Sequence, residues 1–349
     1  MKAIAWARAN LFNGVWNTIL TLVAGYLIAR GAWMAIDWGL IHAAWSAPDG
    51  RACRAITNDE GACWAFIEQW YRFILFGRFP PGEQWRALIV VILFIGMVVV
   101  SCDRRLWRSA WPITAIWVVG LIVSFILMHG GVLGLPVVTT DLWNGLPLTL
   151  FLSVIALAGA FPLAILLALG RRSDYPIIRA LSVGYIELVR GVPIISILFM
   201  ASVMLPLFLP AGVNIDNLIR ALVGLMLFYA AALAEVIRGG LQAIPTGQYE
   251  AADVLGLSFG QKTRLVVLPQ ALSITIPPLV NTFIAAFKDT TLVTIVGLFD
   301  LLTTASNSIT DPQWRGFYVE AYVFVAAIYF VFCFSMSRYS RSLERSTER

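Results

Sequence analysis

Residues 250 to 269 read EAADVLGLSFGQKTRLVVLP, a segment of polar and small residues set between two long apolar stretches at 219–237 and 271–298. Crossing the hydrocarbon core of a bilayer as a helix takes about 20 mostly apolar residues, and each flanking stretch meets that need. The segment between them therefore lies outside the bilayer, on a chain threaded through it. Backbone groups inside hydrocarbon need partners from the protein itself, which leaves helices or a closed barrel. The alternating apolar and polar decamers of a barrel are absent from this sequence, so the spans are helices.

Composition extends this to the whole chain. With 59% hydrophobic and 13% charged residues among 349, and a mean hydropathy of +0.80, it is no ordinary water-soluble domain. Spans are predicted at 12–32, 85–101, 111–128, 146–169, 181–209, 219–237, 271–298 and 317–336. The expected fold is an all-α membrane protein of about eight transmembrane helices. Three belong to an N-terminal extension, 1–134, with an outer loop near 38–84. Five form a core, 135–338, with a loop at about 239–269, followed by a tail at 339–349. The first window is long and is followed by Trp-rich sequence in place of a small-residue cleavage site, so it reads as a span and not a signal peptide.

Basic residues set the orientation. Arg104, Arg105 and Arg108 fall in one short loop, Arg171, Arg172 and Arg179 in another, Lys262 and Arg264 in a third, and Arg338, Arg341, Arg345 and Arg349 in the tail. Eight spans place all of them, with Lys2 and Arg8, on one side. The positive-inside rule makes that side, and both termini, cytoplasmic. The net charge of +5 is scattered over juxtamembrane loops, which fits topology and anionic lipid and excludes nucleic acid as a partner. Cys53 and Cys63 share the outer segment, where an oxidising compartment allows a bridge closing a short loop. Cys102 and Cys333 fall near inner helix ends and read as packing residues. The aromatic, amphipathic stretch 62–79 fits a helix lying on the outer membrane surface or resting on a partner subunit.

The loop can be read residue by residue. Pro245 stops the preceding helix and the Thr246 hydroxyl is expected to cap a short one over 248–255. Ala251 and Ala252 leave a surface that a partner can approach closely, and Glu250 adds an anchoring charge. Gly256 supplies the left-handed residue that ends the helix. Ser258 and Gln261 have the spacing of a capping box opening a second short helix, which is expected to run through Arg264 to Leu268 and end at Pro269. Leu255, Leu257 and Phe259 form an apolar rim.

Glu250, Ala251, Ala252, Gly256, Leu268 and Pro269, with Val266 where isoleucine is usual, resemble the EAA loop of permease subunits in bacterial ATP-binding-cassette importers. The resemblance covers roughly 141–338. Tyr185 to Pro193 (YIELVRGVP) and Ala286 to Leu292 (AFKDTTL) resemble hallmarks of the polar amino-acid uptake branch, the histidine, glutamine and general amino-acid permeases. The resemblance implies a transmembrane permease subunit that moves L-amino acids from periplasm to cytoplasm by alternating access, in a bacterial inner membrane. It implies ATPase-coupling residues Glu250, Ala251, Ala252, Gly256, Leu257 and Pro269. It further implies two ATP-binding cassette subunits, a second related permease and a periplasmic amino-acid-binding protein as partners. ATP and Mg would be used by the ATPase subunits, with no cofactor or metal in this chain.

Ionisable residues within spans mark functional candidates. Glu187 and Arg190 sit one helical turn apart, near enough to neutralise each other. Lys288 and Asp289 are adjacent, point to different sides of a helix, and each need a separate partner. By resemblance, substrate contacts come from Ile194 to Ile197, just after Pro193, and from Asn281, Thr282 and Ala285. With Glu187, Arg190, Lys288, Asp289 and Thr290 these form the expected substrate path or gate. Ile194, Ile197 and Thr282 stand where relatives selective for basic amino acids carry a carboxylate or glutamine, which argues against a dedicated cation pocket here.

The alternatives are weaker. Gly256, Gly260, Gln261, Lys262 and Thr263 lack the glycine directly before lysine, the wider gap and the preceding strand of a phosphate-binding loop. His42 and His129 are isolated, and the cysteines lack metal-ligand spacing, so neither catalytic nor metal residues are expected and the chain reads as no enzyme. An ion-coupled secondary amino-acid transporter is the alternative reading. It predicts two inverted halves, but the Lys288 region has no second copy.

Overall fold

In a computed structural model, residues 2–103, 106, 110–210 and 212–347 are described. Arg104, Arg105, Arg108 and Arg349 lie outside them, as do the side chains of Lys2 and Arg345. The described residues are helical, without a strand. In chain order the helices are α1 (Lys2–Asn10), α2 (Val15–Ile36), α3 (Gly50–Thr57), α4 (Trp64–Phe76), α5 (Gln84–Ser101), α6 (Ala110–His129), α7 (Gly145–Arg171) and α8 (Pro176–Gly191). They continue with α9 (Ile194–Phe199), α10 (Asn217–Ala243), α11 (Thr246–Val254), α12 (Phe259–Lys262), α13 (Leu268–Ile274), α14 (Ile276–Asp289), α15 (Leu301–Ser308) and α16 (Tyr318–Thr347). Among the described residues seven helical segments are long and apolar enough to span a membrane, and α8 with α9 makes an eighth when the bent pair counts as one. That pair departs from the single straight span expected over 181–209. Its axis turns by 102° at Val192 and Pro193, because the residue before a proline is driven into extended backbone.

The chain divides into two compact units. One comprises Met1–Tyr71 and Ile309–Phe324. Here Cys53 and Cys63 are disulfide-bonded, the buried Glu320 carboxylate accepts from the Cys63 N–H at 2.9 Å, and Phe66 packs against Trp314 and Phe317. The apolar face at the start of α4 is thus covered by its own chain, not by the membrane surface or partner expected for 62–79. α2, in contrast, has no buried residue.

The second unit comprises Arg72–Ser308 and Val325–Arg349. Its centre is the packing of α7 on α10. Ala156, Ala160, Ala164 and Ala168 are buried at four-residue spacing on α7, and Ala230, Ala231, Ala234 and Gly240 on α10. Lipid is as apolar as a leucine surface, so small residues that let backbones approach give such helices their grip. A Cβ at Gly240 would meet the Ala271 carbonyl at 2.6 Å, which shows how closely α13 seats on α10.

Candidate functional site

The segment between α10 and α14 folds as a knob. α11 begins one residue after Pro245, and Thr246 is its first residue with no side-chain capping bond, so the expected hydroxyl cap is not formed. Its far end is a Schellman motif. The Leu257 N–H reaches the Ala252 carbonyl at 3.1 Å, the Gly256 N–H reaches the Asp253 carbonyl at 2.9 Å, and Gly256 has φ +70°. The capping box forms as read, with the Ser258 N–H donating to the Gln261 side chain at 2.9 Å.

Beyond α12 the sequence expectation fails at Pro269. A π-turn at Thr263–Val267 carries the helix on into α13, in which Pro269 occupies the first turn. A proline inside a regular α-helix would collide with the carbonyl four residues earlier, and the wider π-turn in front of it removes that conflict. The knob therefore continues into the membrane helices through a nearly unbroken helical run.

Two side-chain bonds close the knob on itself, Lys262 to Asp253 at 2.6 Å and Gln270 to Gln248 at 3.0 Å. Glu250, Ala251, Gly256 and Pro269 are exposed, Leu257 is half-buried and Ala252 is buried. The apolar side chains Val254, Leu255, Phe259 and Leu265 project into solvent, at 88%, 76%, 73% and 65% exposure. Exposed apolar side chains gathered on a folded loop are the kind of surface that marks an interaction site.

The charged residues of α8 do not pair with each other as their spacing suggested. Glu187 pairs with Arg171 at 2.9 Å, and Arg190 pairs with Glu235 at 3.4 Å. Glu235 also binds Arg171 at 2.9 Å and Arg238 at 3.0 Å. One carboxylate thus holds three guanidiniums, joining α7, α8 and α10. Arg171 enters the sequence reading only as a topology marker; its place opposite Glu235 depends on the α7–α10 register.

The other candidates gather around α9 and α14. α9, with the half-buried Ile194 and Ile197, packs against the 3-10 turn Thr290–Val296 that follows Asp289. Asn281 and Lys288 are exposed on α14, Thr282 and Ala285 are half-buried, and the Thr282 hydroxyl bonds the Pro278 carbonyl. Asp289 accepts from the Tyr229 hydroxyl of α10 at 2.6 Å, while the Thr290 hydroxyl is buried on the Phe287 carbonyl. Sequence reasoning missed Tyr229; a phenol inside an apolar span needs a polar partner, which was the available signal. Among the described residues no group of His, Cys, Asp and Glu could hold a metal ion.

Residues 160–349 match the family described as binding-protein-dependent transport system inner membrane component. The chain is 47% identical, over 99% of its own length and 93% of the relative's, to the inner membrane amino-acid ABC transporter permease protein YhdY of Escherichia coli (strain K12). It is 42% identical, over 99% and 94%, to the glutamate/glutamine/aspartate/asparagine transport system permease protein BztC of Rhodobacter capsulatus. Among solved structures it is similar to an amino acid ABC transporter crystallised with histidines, at 33% identity and a TM-score of 0.52, covering 58% of this chain and 92% of that one. The chain therefore belongs to the binding-protein-dependent transport system inner membrane components, alongside the amino-acid ABC transporter permeases it matches along nearly its whole length.

Proposed function

We propose that this chain is the transmembrane subunit of an importer that carries L-amino acids from periplasm to cytoplasm by alternating access, driven by ATP hydrolysed on separate subunits. The observation that carries this reading is the knob of residues 246–269. It is a folded body that displays apolar side chains to solvent and continues helically into α13. Partner movement applied to it reaches the membrane helices without a flexible joint. In this reading Glu250, Ala251, Ala252, Gly256, Leu257 and Pro269 shape the surface on which the ATPase sits. Each complex contains two ATPase subunits that use ATP and Mg, a second related permease, and a periplasmic amino-acid-binding protein. Both termini and the knob are cytoplasmic. Residues 135–338 form the permease core and 1–134 an extension of it.

Ile194, Ile197, Asn281, Thr282, Ala285, Lys288, Asp289 and Thr290 line the path in this proposal. Glu187 and Arg190 hold its inner end through Arg171 and Glu235. Of the two relatives matched along almost the full chain, one is named for amino acids in general and the other for glutamate, glutamine, aspartate and asparagine, which supports polar amino acids as the substrate class.

The test is copurification of the chain from membranes, followed by reconstitution in liposomes. A retained ATPase whose hydrolysis rises with amino-acid-loaded binding protein is the expected result. A chain that purifies alone and transports amino acids on an ion gradient without ATP would overturn the reading in favour of a secondary transporter.

A further inference from the structure

Two neighbouring arginines close α7, and they hold different parts of the chain. Arg171 Nη1 lies 2.9 Å from Glu187 of α8 and 2.9 Å from Glu235 of α10. Arg172 Nη1 donates to the Leu241 carbonyl at 2.7 Å and to the Tyr249 hydroxyl at 3.0 Å. The Tyr249 hydroxyl in turn donates to the same Leu241 carbonyl at 3.1 Å, and the Arg172 guanidinium lies 5.6 Å from the centre of the Tyr249 ring. Three groups thus form a closed triangle from the end of α7, the last turn of α10 and the inward side of α11. Successive residues on a helix point about 100° apart, which is how one chain position serves two directions.

Tyr249 stands directly before Glu250, yet it faces the other way. Glu250 and Ala251 are exposed, whereas Tyr249 is half-buried against Arg172. The Lys262–Asp253 and Gln270–Gln248 bonds tie the knob to itself, but the Arg172 triangle ties it to α7. An arginine suits a joint that has to stay engaged while its neighbours shift. It keeps its charge at any working pH, offers several donors in a fixed plane, and stacks on an aromatic ring.

We propose that Arg172 and Tyr249 are positioning residues for coupling. They fasten the inner face of the knob to α7, and the adjacent Arg171 passes displacement of that helix end to α8 and α10 through Glu187 and Glu235. α8 ends at the bend before Pro193, where the path residues Ile194 and Ile197 begin, so the route runs from the ATPase surface to the substrate path through bonded side chains joined by the backbones of α7 and α8. This inference rests on the importer reading and assigns the residues that make its two ends move together.

The test uses the intact complex with its ATPase subunits and binding protein in proteoliposomes, with amino-acid uptake and ATP hydrolysis measured in the same vesicles. Tyr249→Phe keeps the ring and removes the hydroxyl, and the ATP consumed per amino acid delivered is expected to rise about fivefold, the scale of one lost hydrogen bond. Arg172→Lys should move the ratio in the same direction. The Arg172→Ala/Tyr249→Phe double variant should be no worse than Arg172→Ala alone, as groups acting in one unit behave. A wild-type ratio in both single variants would overturn the proposal. So would uptake and hydrolysis falling together at a constant ratio, because that is what loss of folded complex produces. Absence of ATP-dependent uptake in the wild-type complex would instead remove the importer reading, and this inference with it.

Discussion

At the scale of single residues, Gly256 and Asp300 make opposite demands on their surroundings. A Cβ at Gly256 would meet nothing within 4 Å, so what a side chain costs there is the left-handed backbone alone, φ +70°. For a β-branched residue that cost is about 1–2 kcal/mol. Gly256→Val is therefore expected to unseat the Schellman turn and depress uptake while membrane insertion stays normal, and Gly256→Asn to be much milder. Equal uptake in both variants would show that the turn does not govern coupling. Asp300 caps α15 from a fully buried position, accepting from the Leu302 and Thr303 N–H groups at 3.1 and 3.0 Å, from the Thr303 hydroxyl at 2.5 Å and from the Tyr329 hydroxyl at 3.3 Å. Burial outweighs these bonds and raises its carboxyl above the usual range. A raised folded-state value means that the fold holds this proton more tightly than the unfolded chain does. The resulting stabilisation is complete below the ordinary carboxylate range and is lost as pH rises through the folded-state value. Melting temperatures of the purified protein from about pH 4 to 8 should show this acid-side gain in wild type and a flatter profile in Asp300→Asn. Parallel profiles would exclude Asp300 as the source.

At the scale of elements, the bend between α8 and α9 is the feature most open to a single change. Val192 is extended, with φ −107° and ψ 132°, and the Pro193 carbonyl accepts from the Ser196 N–H at 2.9 Å to start α9 afresh. Proline disfavours a helix interior by about 3 kcal/mol, so Pro193→Ala removes most of the bias against a straight helix and should reduce uptake at least tenfold. Uptake at the wild-type rate would show that the bend is held by tertiary packing instead. The existence of the spans was legible in the sequence because an apolar run of that length has few other uses. So were the capping box at Ser258 and the stop at Gly256, since both are set by residues within one turn. The course of the chain at Pro269 was not legible, because the same residue ends one helix or opens another according to whether a π-turn precedes it. The partners of Glu187 and Arg190 were likewise hidden. Their local spacing fitted a pair, but the alanine-lined register of α7 on α10 places Arg171 and Glu235 nearer, and that register is a property of two helices 64 residues apart at the bonded positions.

At the scale of the whole molecule, the exposed apolar surface of the spans suits a lipid surround, and Lys288 does not. It is exposed on α14 and makes no ion pair among the described residues, although Asp289 beside it is bonded to Tyr229. An ammonium group within a span is costly in hydrocarbon and is held by a partner or a water-filled path. Among the described residues no carboxylate pairs with it, so under the proposed importer reading its charge is met by a second permease, by the molecule being carried or by a water-filled path. Lys288→Met keeps the length of the side chain and removes the charge. In the isolated chain in detergent this should leave the melting temperature unchanged or raised, since no bond is lost and an unpaired charge is removed. In the assembled complex the same change is expected to lower uptake by about tenfold or more, if Lys288 lies on the proposed substrate path. A lower melting temperature for the isolated variant would reveal an internal partner for Lys288. Unchanged uptake in the complex would take Lys288 out of the proposed path.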